Sequence, residues 1–187
     1  MGSAEVLDKR KAALAGALRQ LMIKMPYSKI TVDQLIEEVG ISRKTFYRTF
    51  SSKDACLEAL MDQFILEQHS SVTLTLTHPV DLVAAYSAHL MFWKKHKAFV
   101  DALLRNKLFP LFLKRSIIHI QNEEHHLYRI LHTTNMECDE DVLLFFNAGN
   151  TVMIIKWLYD DCKTPVEEMA HKLVRLNHTQ LLHNNNS

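Results

Sequence analysis

The sequence predicts an all-α protein of about nine helices, a head of short helices followed by a body of longer ones. Three observations carry this. Apolar residues recur at i, i+3, i+4 and i+7 through most of the chain, and no segment alternates cleanly at period two. Only four glycines and four prolines interrupt 187 residues. Several apolar runs are preceded by a capping signature.

Leu14, Ala17, Leu18, Leu21 and Met25 form the first stripe, which Pro26 ends because proline removes a helical donor and clashes with the preceding turn. Val32, Leu35, Ile36 and Val39 form the second, opened by Thr31 with Gln34 as a capping box and closed by Gly40 as a C′ glycine. Ser42 is placed to cap a short third helix from Arg43 to Arg48 or Thr49. Ser51 with Asp54 suggests the start of a fourth, lined by Leu57, Leu60, Met61 and Phe64.

In the body, Pro79 and Asp81 suit the start of a helix reaching about His96, and a short one follows over Ala98 to Arg105. The next is expected from near Pro110 to about Leu131. Glu137, Asp139, Glu140 and Asp141 sit at the positive end of a helix reaching about Tyr159. Thr164, Pro165 and Glu167 give a capping box with proline at N1 for the last helix. The boundary between head and body falls inside a continuous helix, so the domains are expected at 1–55 and 56–187 with no flexible linker.

Composition narrows the class. The apolar fraction of 48% and charged fraction of 23% are those of an ordinary soluble protein. Three cysteines without paired short spacing argue against a disulfide framework and for a reducing compartment. No secretory signal pattern appears, and the longest uncharged stretch, Val142 to Ile155, is too short to span a membrane, so a cytoplasmic chain with no membrane partner is expected. Net charge is +1, but residues 1–60 hold ten Lys/Arg against seven Asp/Glu, while all eleven histidines follow residue 68. The head is mildly basic and the body mildly acidic.

Residues 41–50, "ISRKTFYRTF", surround Phe46, Tyr47 and Phe50 with Arg43, Lys44, Arg48 and three hydroxyls, and contain no acid. Helix, glycine turn and short helix over residues 31–50 are the layout of a helix-turn-helix, whose second helix enters the DNA major groove. That groove, about 12 Å wide, admits one helix whose N-terminal side chains read base edges. Arg43 and Lys44 suit guanine or phosphate, Thr45 a thymine methyl or phosphate, and Tyr47 a phosphate. Phe46 and Phe50 are expected to point inward, and Lys53 to clamp a phosphate beside helix N-terminal amides.

The stretch "TVDQLIEEVGISRKTFYRTFSSKDACLEAL" resembles the DNA-binding segment of TetR-family transcriptional regulators, matching at Thr31, Leu35, Gly40, Ser42, Thr45, Phe46, Tyr47, Phe50, Lys53 and Leu57. The resemblance covers about residues 5–65. Lys44 stands where glycine is frequent and Thr49 where histidine or tyrosine often contacts backbone, which bears on which operator is read. The expected DNA-contacting residues are Thr31, Ser42, Arg43, Lys44, Thr45, Tyr47, Arg48 and Lys53.

The resemblance implies a three-helix helix-turn-helix head on a helical effector-binding and dimerisation body, acting as a repressor on a palindromic operator. Residues 142–159 are apolar nearly all round, too apolar for a one-sided surface helix, and with 166–182 they are the candidate dimer surface. The implied effector pocket draws on Tyr86, His89, Leu90, Trp93, Phe109, Phe112, Ile117, Phe146, Asn147, Asn150 and Met153, a lining suited to a small apolar or aromatic molecule. Any single one of these is more often ordinary core than a ligand contact; the amides of Asn147 and Asn150 in so apolar a helix need partners, which another helix can equally supply.

Two other readings stay open. One keeps the head and has the body answer a partner protein. The other is a metal-dependent enzyme built on "HIQNEEHHLYRILH", where His119, Glu123 and His126 share one helical face and His125 and His132 another. That segment has no H-E-x-x-H, and the chain has no glycine-rich phosphate loop or nucleophile elbow, so no enzyme activity, metal or cofactor is expected.

Overall fold

The computed structural model describes residues 3–73, 81–121 and 140–178. Among them are nine α-helices and no strand: α1 (Ser3–Lys24), α2 (Val32–Val39), α3 (Arg43–Thr49), α4 (Lys53–Thr73), α5 (Leu82–Lys95), α6 (Lys97–Arg105), α7 (Phe109–Gln121), α8 (Glu140–Tyr159) and α9 (Val166–His178), with one 3-10 turn at Tyr27–Lys29. The expected continuation of α7 to Leu131, the acids Glu137 and Asp139, and Pro79 lie outside the described residues.

Helix starts follow their caps closely. The Thr31 Oγ1 accepts the Gln34 N–H at 3.2 Å while the Thr31 N–H donates to Gln34 Oε1 at 2.8 Å, a complete capping box. Asp81 caps α5 by accepting the Ala84 N–H at 3.0 Å. The start of α4 differs from the expectation. Ser52, not Ser51, caps it by accepting the Ala55 N–H at 3.0 Å, and Asp54 instead receives the Tyr27 hydroxyl. Helix α9 begins at Val166, one residue later than expected, with Pro165 O accepting its first i→i−4 bond at 3.0 Å from Met169 N–H. Thr164 gives its carbonyl to the Trp157 Nε1–H at 2.8 Å.

Three helices end in the same Schellman geometry, in which the amide beyond a left-handed residue reaches back across the last turn. After α2, Ile41 N–H donates to Ile36 O at 3.0 Å with Gly40 at φ 70°. After α6, Leu108 N–H donates to Leu103 O at 2.9 Å with Lys107 at φ 57°. After α8, Cys162 N–H donates to Trp157 O at 3.0 Å with Asp161 at φ 53°. Only the first uses glycine, the residue that adopts this conformation without steric strain.

The chain packs as two compact units, Met1–Leu66 with Ala98–Ser116, and Glu67–Lys97 with the described residues from Ile117 onward. These packing units do not follow the functional division expected at 1–55 and 56–187. In the first, Leu14, Leu18 and Met22 of α1, Leu35 of α2, Phe46 of α3 and Leu60, Met61 and Phe64 of α4 are fully buried, together with Phe99, Val100 and Leu103 of α6. Phe64 meets Phe99 edge to face at 5.1 Å, and the Arg19 guanidinium lies 5.1 Å from both ring centres. In the second unit, α5 packs chiefly on α9, burying Tyr86, Leu90 and Trp93 against a face that holds Met169, Ala170 and Leu173.

Two outcomes test this packing. Gly40→Ala meets no atom within 4 Å of the added Cβ, so its cost is that of the left-handed backbone alone, about 1–2 kcal/mol, whereas Lys107→Gly relieves the same strain for a net gain of roughly 0.5–1 kcal/mol. Thermal unfolding midpoints should move in opposite directions. Burial pushes the Cys56 thiol from an ordinary 9.0 up to about 12. The folded chain therefore holds this proton more tightly than the unfolded one, and the Cys56 contribution to stability is lost as pH rises from about 9 toward 12. Alkylation of Cys56 at pH 9, mapped by mass spectrometry, should await unfolding.

Candidate nucleic-acid interface

Helix α3 has seven residues, too few to stand alone in water. Its inner flank holds it. Phe46 is 0% exposed and Phe50 nearly as buried, with ring centres 6.4 Å apart. The Ser42 Oγ accepts the Thr45 N–H at 3.2 Å, and the Thr49 hydroxyl donates to Thr45 O at 2.9 Å. The inward direction expected for both phenylalanines is what is found.

The outer flank presents Ser42, Arg43, Lys44, Tyr47 and Arg48 to solvent, with Thr45 half-buried beside them. Tyr47 packs its ring edge-to-face on Phe46 at 5.3 Å and keeps about half its surface exposed. Arg43 donates at 2.8 Å to Asp33 Oδ1 of α2, and neighbouring Tyr47, then Asp33, raise its guanidinium pKa above the ordinary value. Thr31 is exposed at the start of α2.

Lys53 departs from its expected role. Its ammonium donates to Tyr27 O at 2.9 Å and Ile30 O at 2.7 Å, and sits 4.1 Å from the Tyr27 ring centre. It thus closes the 3-10 turn between α1 and α2 and faces inward. Tyr27 is the hub of that closure. Its N–H donates to Asn106 Oδ1 at 2.7 Å, and Asn106 Nδ2 in turn donates to Ala102 O at 2.7 Å. Burial, then the bond to Asp54, raises the Tyr27 hydroxyl well above the ordinary tyrosine range. Asp33, Tyr27 and Asn106 were missed from sequence. The bland reason for Asp33, an acid in the first turn of a helix, concealed its pairing with Arg43.

The expected effector residues are divided between the two packing units. Phe112 belongs to the first unit, edge-on to Phe64 at 5.9 Å and tilted against Phe109 at 5.5 Å. Tyr86, His89, Trp93, Phe146, Asn147 and Asn150 belong to the second. Tyr86 and Trp93 are fully buried, while His89, Phe146 and Asn147 are half-buried. His89 Nδ1 lies 3.4 Å from Gln68 Nε2, and Asn147 Oδ1 accepts the Thr151 hydroxyl at 3.4 Å. The partner of Asn150 is another helix. Asn150 Nδ2 donates to Asn177 Oδ1 at 3.1 Å, Asn177 Nδ2 returns to Asn150 Oδ1 at 2.9 Å, and the Tyr86 hydroxyl also meets Asn150. Burial raises the Tyr86 pKa above its usual range, the bond to Asn150 opposing it.

Of the histidine-rich segment only His119 is described; Glu123, His125, His126 and His132 lie outside the described residues. Among the described residues no three His, Cys, Asp or Glu gather closely enough to hold a metal ion, and no helix is long and apolar enough to cross a membrane.

Residues 14–60 match the model of the bacterial regulatory proteins of the tetR family. The HTH-type transcriptional regulator EthR of Mycobacterium tuberculosis is 34% identical over 74 residues, 40% of this chain and 34% of that protein. The regulator of the same name from Mycolicibacterium smegmatis is 41% identical over 58 residues, 31% of this chain and 27% of that protein. The match thus spans about a third or less of the curated relatives' length. A TetR transcriptional regulator from Streptococcus agalactiae superposes with a TM-score of 0.64 over 92% of this chain and 96% of its own at 22% identity. A tetR-family regulator from Streptomyces coelicolor does so at 0.60 over 93% and 83%, with 18% identity. At those identities the two structures bear on the fold, which is all-α with an N-terminal helix-turn-helix head.

Removing one member of the Asn150–Asn177 pair strands the other amide in the core. Asn150→Ala should therefore cost about 1–3 kcal/mol, while replacing both by leucine should cost less than that single change. Urea unfolding of the three proteins measures the difference.

Proposed function

We propose that this chain, a tetR-family protein by its residues 14–60, is a dimeric transcriptional regulator that binds a palindromic operator through α3 and is released from it by a small apolar or aromatic effector. The observation that carries the reading is the two-sidedness of α3: buried Phe46 and Phe50 fix it, while Arg43, Lys44, Tyr47 and Arg48 leave it on one flank after a left-handed glycine. That flank supplies bidentate donors for guanine, a cation and a hydroxyl for phosphate, and no acid of its own. The chain would act in the cytoplasm with the DNA it binds, and repression would follow from occupying a promoter.

One such helix gives little affinity, so two are needed on half-sites about one helical turn apart or a multiple of it. Helix α8 supports a two-fold pair. Asn150, Ile154, Trp157 and Leu158 face its own chain, yet Phe145, Val152 and Tyr159, spaced seven apart on the other side, are 74%, 66% and 62% exposed. Ala148 and Gly149 lie between them, and a Cβ on Gly149 would meet nothing within 4 Å. A glycine that weakens a helix interior by roughly 1 kcal/mol without crowding in its own chain suits the close approach of a second backbone. Leu176 of α9, 56% exposed, extends the apolar surface.

His89, Phe146 and Asn147 are the half-buried candidates for effector contact, with Tyr86 and Trp93 behind. The mutual satisfaction of Asn150, Asn177 and Tyr86 favours the second reading, a body that answers a protein partner, because those polar groups already have partners within the fold. A thermal-shift screen against small aromatic molecules separates the two, since a binder at a hundred times its Kd stabilises by about 2.7 kcal/mol.

The test is selection of duplexes from a random-sequence pool, followed by gel shifts on the selected and a scrambled duplex at stated salt. A palindrome should emerge; selection of no sequence would refute the proposal. Tyr47→Ala should weaken both duplexes alike, whereas Arg43→Ala should lose about 1–3 kcal/mol of discrimination at one base pair of each half-site. Phe145→Asp should give a monomer by light scattering and lose the palindrome while keeping its helical circular dichroism.

A further inference from the structure

We propose that Asp33 is a specificity-determining positioning residue, whose carboxylate orients the Arg43 guanidinium for reading a base edge. The inference rests on the reading of the chain as a DNA-binding regulator. Arg43 Nη1 lies 2.8 Å from Asp33 Oδ1. Asp33 stands on α2 and Arg43 on α3, so the guanidinium at the end of an α3 side chain is held from the neighbouring helix. A guanidinium has five N–H donors in a rigid planar fork, so anchoring one nitrogen limits the directions in which the remaining donors point as a unit. Bidentate recognition of guanine needs that preorganisation; a phosphate contact, tolerant of approach angle, does not.

Folding does not explain the pair. The Arg43 and Asp33 side chains are 60% and 64% exposed, and ion pairs so exposed contribute little to stability. A carboxylate beside the reading flank also repels a polyanion, which lowers affinity for DNA of any sequence. An acid in that place is useful if the order it imposes on Arg43 discriminates between sequences by more than its charge weakens binding overall. Asp33 in the first turn of α2 also suits the helix dipole, so the test must separate orientation from helix stability.

Full-length wild type, Asp33→Asn, Asp33→Ser, Arg43→Ala and the Asp33→Asn/Arg43→Ala double variant are compared on the palindrome selected by wild type and on a scrambled duplex of equal length, with thermal midpoints measured alongside. Asp33→Asn should bind the scrambled duplex as well as wild type or a few-fold better, and should lose about fivefold or more of the preference for the palindrome. Asp33→Ser, which keeps a residue favourable at a helix start, should do the same if the asparagine variant is unstable. In the Arg43→Ala background, Asp33→Asn should change the preference no further. Equal gains on both duplexes would overturn the proposal, leaving Asp33 a mere repulsive charge. Equal losses with a lowered midpoint would overturn it in favour of a structural role. If wild type selects no sequence, the regulator reading falls with it; an intact wild-type preference unchanged in Asp33→Asn sinks this inference alone.

Discussion

The direction of the exposed flank of α3 depends on the burial of Phe46. A helix of seven residues cannot pay its own nucleation, so its existence and its direction are both borrowed from packing. With Phe46 fully buried and Phe50 nearly so, only one rotation about the helix axis is allowed, and Arg43, Lys44 and Tyr47 are thereby aimed outward. The Schellman turn at Gly40 and the Ser42 cap leave few unsatisfied backbone groups at the crossing, so α2 and α3 meet at a defined angle.

The second fixed point is Tyr27. Its backbone and side chain gather Asn106, Lys53 and Asp54, so the connection from α1 to α2 is tied to the start of α4 and the end of α6 within one packing unit. Lys53 lies at the centre of this knot, which accounts for a lysine at a position where a phosphate clamp was expected. An ammonium over a tyrosine ring with two carbonyls is already well solvated by protein, and turning it toward DNA would give up both bonds.

Local structure was legible because its causes are local. Periodicity and caps located the helices around Leu35, Phe46 and Leu90, and the Thr31 box and the Asp81 cap formed as spaced. The misplacements are of two kinds. Ser51 and Ser52 are equivalent as capping residues, and which one serves was decided by Tyr27 taking Asp54 away from a capping box. Lys53, Phe112 and Asn150 each have partners distant in sequence, Tyr27, Phe64 and Asn177, and no spacing rule reports a contact of that range. Phe112 illustrates the limit well: an aromatic residue amid an apolar helix is equally at home against a ligand or another ring, and packing alone decides.

Under the proposed function, the modest charge of the head gives the rest of the molecule a task. An excess of three cations over residues 1–60 neutralises few phosphates, and Lys53 already faces inward while Arg43 is shared with Asp33. Counterion release then supplies a small sequence-independent term for one head. Two heads on one duplex roughly double that term and join their base contacts through an effective concentration, but only when a rigid pairing sets their separation. Helix α8 is apolar on both sides although its own chain covers one. For the regulator proposed above, that uncovered face would matter more than additional lysines, because lysines strengthen binding to all DNA and pairing strengthens it only where two half-sites are correctly spaced.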